Sequence, residues 1–160
     1  MKDKGSKKNI HFKSIGRELA MQFLFQFNMF QDEFEEIDLI RFFRQLDSSE
    51  AFENTRELRR GKKYASTLVN GVIDNIDDVD LKIQSFISND WKWERIATVD
   101  KALLRIAVYE MLFEEKVPPV VAINEAVEMH KKFGADESRG FINGLLNSVK
   151  NTLSRDPRKV

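Results

Sequence analysis

The chain has 160 residues, and its 26 basic and 26 acidic side chains give a formal net charge of zero. It contains no cysteine, which excludes disulfides, zinc–thiolate sites and thiol nucleophiles. A single core is the default for this length, and the lysine-rich N-terminus has no apolar stretch typical of a signal peptide or membrane span. We therefore expect a cytoplasmic protein with no membrane partner.

Charge is segregated along the chain although the total is zero. The first twelve residues are rich in lysine, whereas residues 32–38 carry five acidic side chains and no basic one. A basic segment on a neutral body attracts polyanions, and a solvated tail is the plainer interpretation of the same pattern. We predict a basic flexible arm over 1–12, one helical domain over 13–153 and a polar tail over 154–160.

Apolar residues recur every three to four positions through most of the chain, which predicts an all-α fold. A first helix follows the arm, with an apolar stripe over 19–30 and Phe25 on a neighbouring, partly exposed face. A second helix is predicted over 39–46, with Ile40 and Phe43 directed inward and Phe42 as a further inward candidate.

The middle of the chain is patterned less evenly. Residues 47–61 are polar and are predicted to be loop or fraying helix, and a regular helix is expected over 64–75. Gly71 inside that helix indicates close packing, because an interior glycine otherwise weakens a helix by about 1 kcal/mol.

The second half has three strong helical stripes separated by glycine and proline. Gly134 follows the helix predicted over 123–133, and we expect it to end that helix in the left-handed conformation. In the last helix, Gly140 and Gly144 predict the close approach of a neighbouring helix, and room for a partner is the alternative.

No arrangement typical of catalysis or metal binding occurs. The two histidines are His11 and His130. His130 has no second ligand at helical spacing, and it is expected to make a contact at a helix C-terminus or edge. The acidic residues between 74 and 80 lack the alternation and glycine of a calcium loop, so we predict a helix end followed by a cap. We expect no catalytic residue, cofactor or metal, although an enzyme built from scattered carboxylates stays open.

Cations precede a phenylalanine-rich helix at the start of the chain. Lys7, Lys8, Lys13 and Arg17 lie ahead of or within its first turns, and Phe25 and Phe30 are the rings predicted to stack on bases. Proteins that bind single-stranded RNA combine such cations with aromatic faces.

Several segments then resemble one family in order and spacing. They are Trp93 to Ile96, Val99 to Glu110, Val121 to Glu128, Lys132 to Ser138 and Phe141 to Leu146. Together they resemble the signature of the NusB family of bacterial transcription antitermination factors. With weaker matches at 17–20 and 70–72, the resemblance covers roughly Lys13 to Leu153.

The resemblance implies a fold of two packed three-helix halves and a role in binding boxA RNA. The partners implied are the ribosomal protein that serves as NusE and the transcribing RNA polymerase, notably in ribosomal RNA operons. It also implies RNA contacts near the Phe-Gly-Ala loop, residues Phe133 to Ala135, to which Arg139 and Asn143 are expected to contribute. A protein-binding face is expected at Tyr109 and Glu110. Core packing is the alternative for Tyr109, and formation of a homodimer is left open.

One departure from the family bears on RNA binding. The family usually carries an arginine-rich run ahead of the first helix, and Ser14 and Ile15 occupy two of those positions here. Lys7 and Lys8 are expected to compensate at longer range, because phosphate contacts tolerate imprecise placement. The missing arginines leave open a protein-interaction module with little RNA affinity as an alternative function. A second alternative is a fragment of a ribosomal RNA cytosine methyltransferase.

Overall fold

The computed structural model describes residues 11–27, 34–48, 56–88 and 92–153. These residues contain seven α-helices and two short 3₁₀ turns, and no strand lies within them. The helices are α1 (Phe12–Gln26), α2 (Glu36–Ser48), α3 (Arg56–Asp74), α4 (Ile76–Gln84), α5 (Thr98–Phe113), α6 (Pro119–Phe133) and α7 (Arg139–Asn151). The predicted all-α class is therefore confirmed.

None of the helices in the described ranges is long and apolar enough to cross a membrane. The chain divides into two compact units, residues 1–70 and 71–160, and the division falls inside α3. Each unit has its own set of buried apolar side chains.

In the first unit, the core is rich in aromatic rings. The Phe23 ring stacks on Phe27 with centroids 5.5 Å apart, and Phe34 and Phe42 meet Phe23 edge to face at 6.0 and 5.6 Å. Such offset and edge-to-face pairs stabilise a core beyond the area that they bury. This cluster fixes α1 against α2.

The structure corrects the predicted inner face of α2. Leu39 and Phe42 are buried, whereas Ile40 is exposed and Phe43 is only half-buried. The buried pair is three residues apart, so both side chains lie on one face, where Phe42 reaches Phe23. The apolar residues next to them in sequence had hidden this spacing.

The structure also moves the start of α3. The helix begins at Arg56, two turns before the predicted start and within the segment predicted to be loop or fraying helix. Leu58 is 5% exposed and Gly61 is buried, so even these polar turns bury one side against the core. These first turns of α3 have few apolar residues, so tertiary packing stabilises them more than an apolar pattern of their own.

In the second unit, α5 is the central helix and contacts α4, α6 and α7. Every residue from Ala102 to Met111 is buried. A helix that is buried on all sides needs neighbours on all sides, which the other three helices supply.

The glycines separate into two kinds. A methyl group on Gly71 would overlap the ring of Tyr109, which confirms the predicted close packing. Gly140 and Gly144 instead face open space, so the predicted approach of a neighbouring helix is wrong.

Gly134 is likewise not in the predicted left-handed conformation. Its φ and ψ are −101° and 174°, an extended backbone that other residues adopt. Glycine is required here by space, because a Cβ at this position would overlap the His130 imidazole.

Candidate nucleic-acid interface

A close approach between α1 and α3 builds a polar cluster in the first unit. A Cβ on Gly16 would lie 2.9 Å from the Gly61 carbonyl oxygen, and one on Gly61 would lie 2.6 Å from Ile15 Cγ2. Only a glycine fits at such separations, so the two backbones come closer than side chains would allow. The start of α1 is thereby brought beside the first half of α3.

The Phe12 ring is the centre of this cluster. The His11 ring stacks on it with a centroid separation of 4.8 Å, and the Arg60 guanidinium carbon lies 3.9 Å from its centroid. Tyr64 meets Phe12 edge to face at 6.3 Å. Arg60 is an exposed residue, so a guanidinium that lies over an aromatic face is at the same time accessible to solvent.

Two predicted RNA-binding cations lie on the neighbouring ring. Lys13 Nζ is 5.4 Å and the Arg17 guanidinium carbon is 5.8 Å from the Tyr64 centroid. Lys13 is half-buried, whereas Arg17 is only 3% exposed. Lys13 is therefore the more accessible of these two cations.

Of the other residues predicted to bind RNA in the first unit, the structure describes only Phe25. Phe25 is 48% exposed on α1, so its ring is accessible as predicted, and its contact with RNA stays a prediction. Lys7, Lys8 and Phe30 lie outside the described residues. Phe12, Arg60 and Tyr64 were not among the predicted site residues. Arg60 was missed because α3 was predicted to begin at Tyr64, which left Arg60 outside the helix.

In the second unit, the Phe-Gly-Ala loop is held by a buried histidine. His130 lies in the last turn of α6, as expected for a contact at the helix C-terminus, but it is fully buried, so a position at the helix edge is wrong. Its Nε2 lies 2.8 Å from Ser138 Oγ and 3.3 Å from Asp100 Oδ1. Because the Ser138 hydroxyl donates to the Ala135 carbonyl, the imidazole N–H is the donor to Ser138.

Arg139 and Asn143 follow that loop on α7. The Arg139 guanidinium donates to Asp136 at 2.7 Å, and Asn143 is exposed, with its Oδ1 accepting from Asn147 Nδ2 at 3.3 Å. A cavity of about 220 Å³ opens beside the loop. Its lining includes Ile96, Asp100, Ala135, Ser138 and Phe141.

The predicted protein-binding pair is mostly buried. Glu110 is fully buried, and Tyr109 is 8% exposed, with its ring stacked on Phe113 and its hydroxyl donating to Glu114 at 3.2 Å. Burial, together with the nearby Glu114 carboxylate, raises the pKa of Tyr109 to about 12. This burial favours the core-packing alternative for Tyr109, and Phe113 is the exposed ring at this position.

The acidic stretch 74–80 contains a helix end, the start of the next helix and an ion pair. Asp74 ends α3, Asn75 caps α4, and Asp80 accepts two hydrogen bonds from Arg105 at 2.8 and 2.9 Å. No group of three or more histidine or acidic side chains in the described part of the chain is arranged to hold a metal ion.

The fold and these surfaces define a class: an all-α protein in which exposed cations rest on aromatic rings, as in nucleic-acid-binding surfaces. The model of the NusB family matches residues 14–151. The chain therefore belongs to the NusB family.

Known proteins agree with this assignment. The transcription antitermination protein NusB of Clostridium novyi (strain NT) is 38% identical over 83% of this chain and 93% of its own length. The structure of T. maritima NusB is similar with a TM-score of 0.73 and 28% identity, covering 89% of this chain and 93% of that one. A structure of antitermination factors NusB and NusE in complex with dsRNA shares the fold, with a TM-score of 0.69, 20% identity and coverage of 89% and 98%.

Proposed function

We propose that this protein is a non-enzymatic transcription antitermination factor of the cytoplasm. It binds boxA-type RNA together with the ribosomal protein that acts as NusE, and the complex joins transcribing RNA polymerase. Its family membership supports this role, as does the complex of NusB and NusE with dsRNA solved for a protein of the same fold. Because the relatives are antitermination proteins, they favour this role over that of a methyltransferase.

The observation that carries the proposal is the cation–aromatic cluster of the first unit. Lys13 and Arg60 bring positive charge to rings at the junction of α1 and α3, and Phe25 adds an exposed ring on α1. Cations hold phosphates, and rings accept bases by stacking, so the two together suit a single strand.

The second unit contributes the remaining proposed contacts. Asn143 is exposed beside the loop held by His130, and Arg139 borders the same loop. Amide and guanidinium groups are suited to the edges of unpaired bases. We assign base recognition to these residues and the protein partner to the surface at the exposed Phe113 ring, which the buried Tyr109 and Glu110 support from beneath.

The test is binding of boxA RNA and a scrambled RNA, with and without the ribosomal protein, across a salt series. We expect boxA RNA to bind more tightly than the scrambled RNA, and the ribosomal protein to strengthen the difference. Phe25→Ala should weaken RNA binding by about 5- to 150-fold, since one stacked base contributes about 1–3 kcal/mol.

Phe113→Ala is the matched control, because its ring is similarly exposed but lies in the second unit. It should leave binding of RNA alone unchanged and weaken only the complex with the ribosomal protein. Equal, weak binding of both RNAs in every condition would contradict RNA recognition and favour a protein-interaction module.

A further inference from the structure

Four basic side chains share one exposed face at the start of α3. Because successive helical residues are about 100° apart, the four lie within an arc of about 100°. All four side chains are exposed, while the opposite side of these turns is buried. We define the basic face of α3 as Arg56, Arg59, Arg60 and Lys63.

The charge on this face is not neutralised by neighbours within the described residues. No ion pair between two described residues involves any of the four side chains. The acidic residue nearest in sequence, Glu57, is half-buried and lies outside the arc. The face therefore presents a concentrated positive potential, which attracts polyanions.

The face is continuous with the cluster at the start of α1. Arg60 belongs to both, since its guanidinium lies 3.9 Å from the Phe12 centroid, and Lys13 stands beside Tyr64 on the adjoining turn. Stacking restricts the Arg60 side chain without using its N–H donors. Those donors remain available for the paired hydrogen bonds that an arginine makes to a phosphate.

We propose that the basic face of α3, with Lys13, is the phosphate-binding track for the backbone of the bound RNA. This proposal rests on the proposed function, and it specifies where the RNA backbone lies on the first unit. The track supplies the arginine forks that positions 14 and 15 lack. From Arg56 to Lys63 it spans about 10 Å along the helix axis.

A nucleic-acid strand fits this face better than an acidic protein segment does. Arg60 lies over the Phe12 ring and Lys13 lies over the Tyr64 ring, and Phe25 on α1 is an exposed ring that can accept a base by stacking. Phosphate contacts carry no sequence information, so the track should add affinity equally to any RNA.

The test is the triple variant Arg56→Gln, Arg59→Gln and Lys63→Gln, which leaves the stacked Arg60 in place. Binding of boxA and scrambled RNA should weaken to a similar extent, by about tenfold or more. The slope of log K against log salt should become shallower by about 2, because each lost phosphate contact removes about 0.7 on a single strand.

The matched control removes three exposed charges elsewhere: Arg41→Gln, Arg44→Gln and Lys116→Gln. It should change neither the salt slope nor the affinity by more than a small fraction of the effect of the first variant. Circular dichroism of both variants checks that the helices are intact, which is expected because every substituted side chain is exposed.

The outcomes separate this proposal from the one that it rests on. If the wild-type protein prefers boxA RNA and the α3 variant binds with an unchanged salt slope, the track is wrong and the RNA-binding function stands. Equal losses in both triple variants would also overturn the track, since net charge alone would explain them. If the α3 variant no longer binds the ribosomal protein but still binds RNA as the wild type does, the basic face of α3 belongs to a protein partner. If the wild-type protein binds neither RNA, the proposed function itself fails.

Discussion

Two arginines, one in each unit of this chain, have opposite environments. In the first unit, Arg60 is exposed and rests on a ring, and Lys13 stands at the surface beside another. In the second, Arg105 is 5% exposed and its charge is met by two hydrogen bonds to Asp80. A buried charge requires a partner, so it fixes the elements that it joins, whereas an exposed cation on a ring remains available to a ligand.

The buried polar groups of the second unit therefore act on structure. Asp80 on α4 and Arg105 on α5 join two helices, and His130 joins α6 to Asp100 and to the loop at Ser138. In the first unit, Arg60 and Lys13 lie at a surface that suits a polyanion, whereas Arg17 is buried. The difference teaches that charge predicts function only when burial and partners are known.

The largest expected effect tests the buried pair. Asp80→Ala leaves the Arg105 guanidinium without its carboxylate and should lower the free energy of unfolding by about 3 kcal/mol. Arg60→Gln in the first unit should lower it by at most about 1 kcal/mol, since an exposed cation on a ring contributes little to stability. Urea unfolding followed by circular dichroism measures both, and equal losses would break the comparison.

A smaller effect compares a crowded glycine in the first unit with an open one in the second. Gly61→Ala brings a methyl group against Ile15, and this crowding costs about 1–3 kcal/mol, more than the helix propensity of alanine restores. Gly144→Ala meets open space and should stabilise the protein by up to about 1 kcal/mol. The same unfolding assay reads both signs, and a stabilising Gly61→Ala would contradict the close approach of α1 and α3.

The smallest effect is a shift in titration. Tyr64 and Tyr109 are the two tyrosines of the chain, so in the Tyr64→Phe variant the phenolate absorbance reports Tyr109 alone. Its midpoint should lie near pH 12 instead of 10, because burial and Glu114 raise the pKa. The raised pKa means that the stability gained from the neutral phenol is complete below about pH 10 and is lost as the pH rises towards 12. A midpoint near 10 would show that Tyr109 is solvated.

How far the sequence predicted the fold depended on how much each helix buries. The stripe of α5 was clear, since eleven of the sixteen residues of that helix are buried and most of them are apolar. For α2, the apolar residues Ile40 and Phe43 competed with Leu39 and Phe42, and only packing against Phe23 decided between them. The start of α3 was missed because its first turns are polar and bury little more than Leu58 and Gly61.

The candidate site was predicted in part. Phe25 was expected to be exposed and is, whereas Arg17 and Glu110 are buried, which their charge alone did not indicate. Arg60 was overlooked, because it reaches Phe12 from a different helix, nearly fifty residues away in the chain. Contacts of that kind leave no periodic signal along the sequence.

The sequence by itself determined the all-α class, the family and the close packing at Gly71, because each depends on local spacing or on a motif in fixed order. The tertiary structure alone decided which cations are exposed, why Gly134 must be glycine, and that α3 brings Arg60 to Phe12. The physical reason is that burial and pairing of charges depend on which helices meet. Contacts between helices bring together residues that are distant in sequence, such as Gly16 and Gly61. These two helices can approach closely because glycine has no side chain.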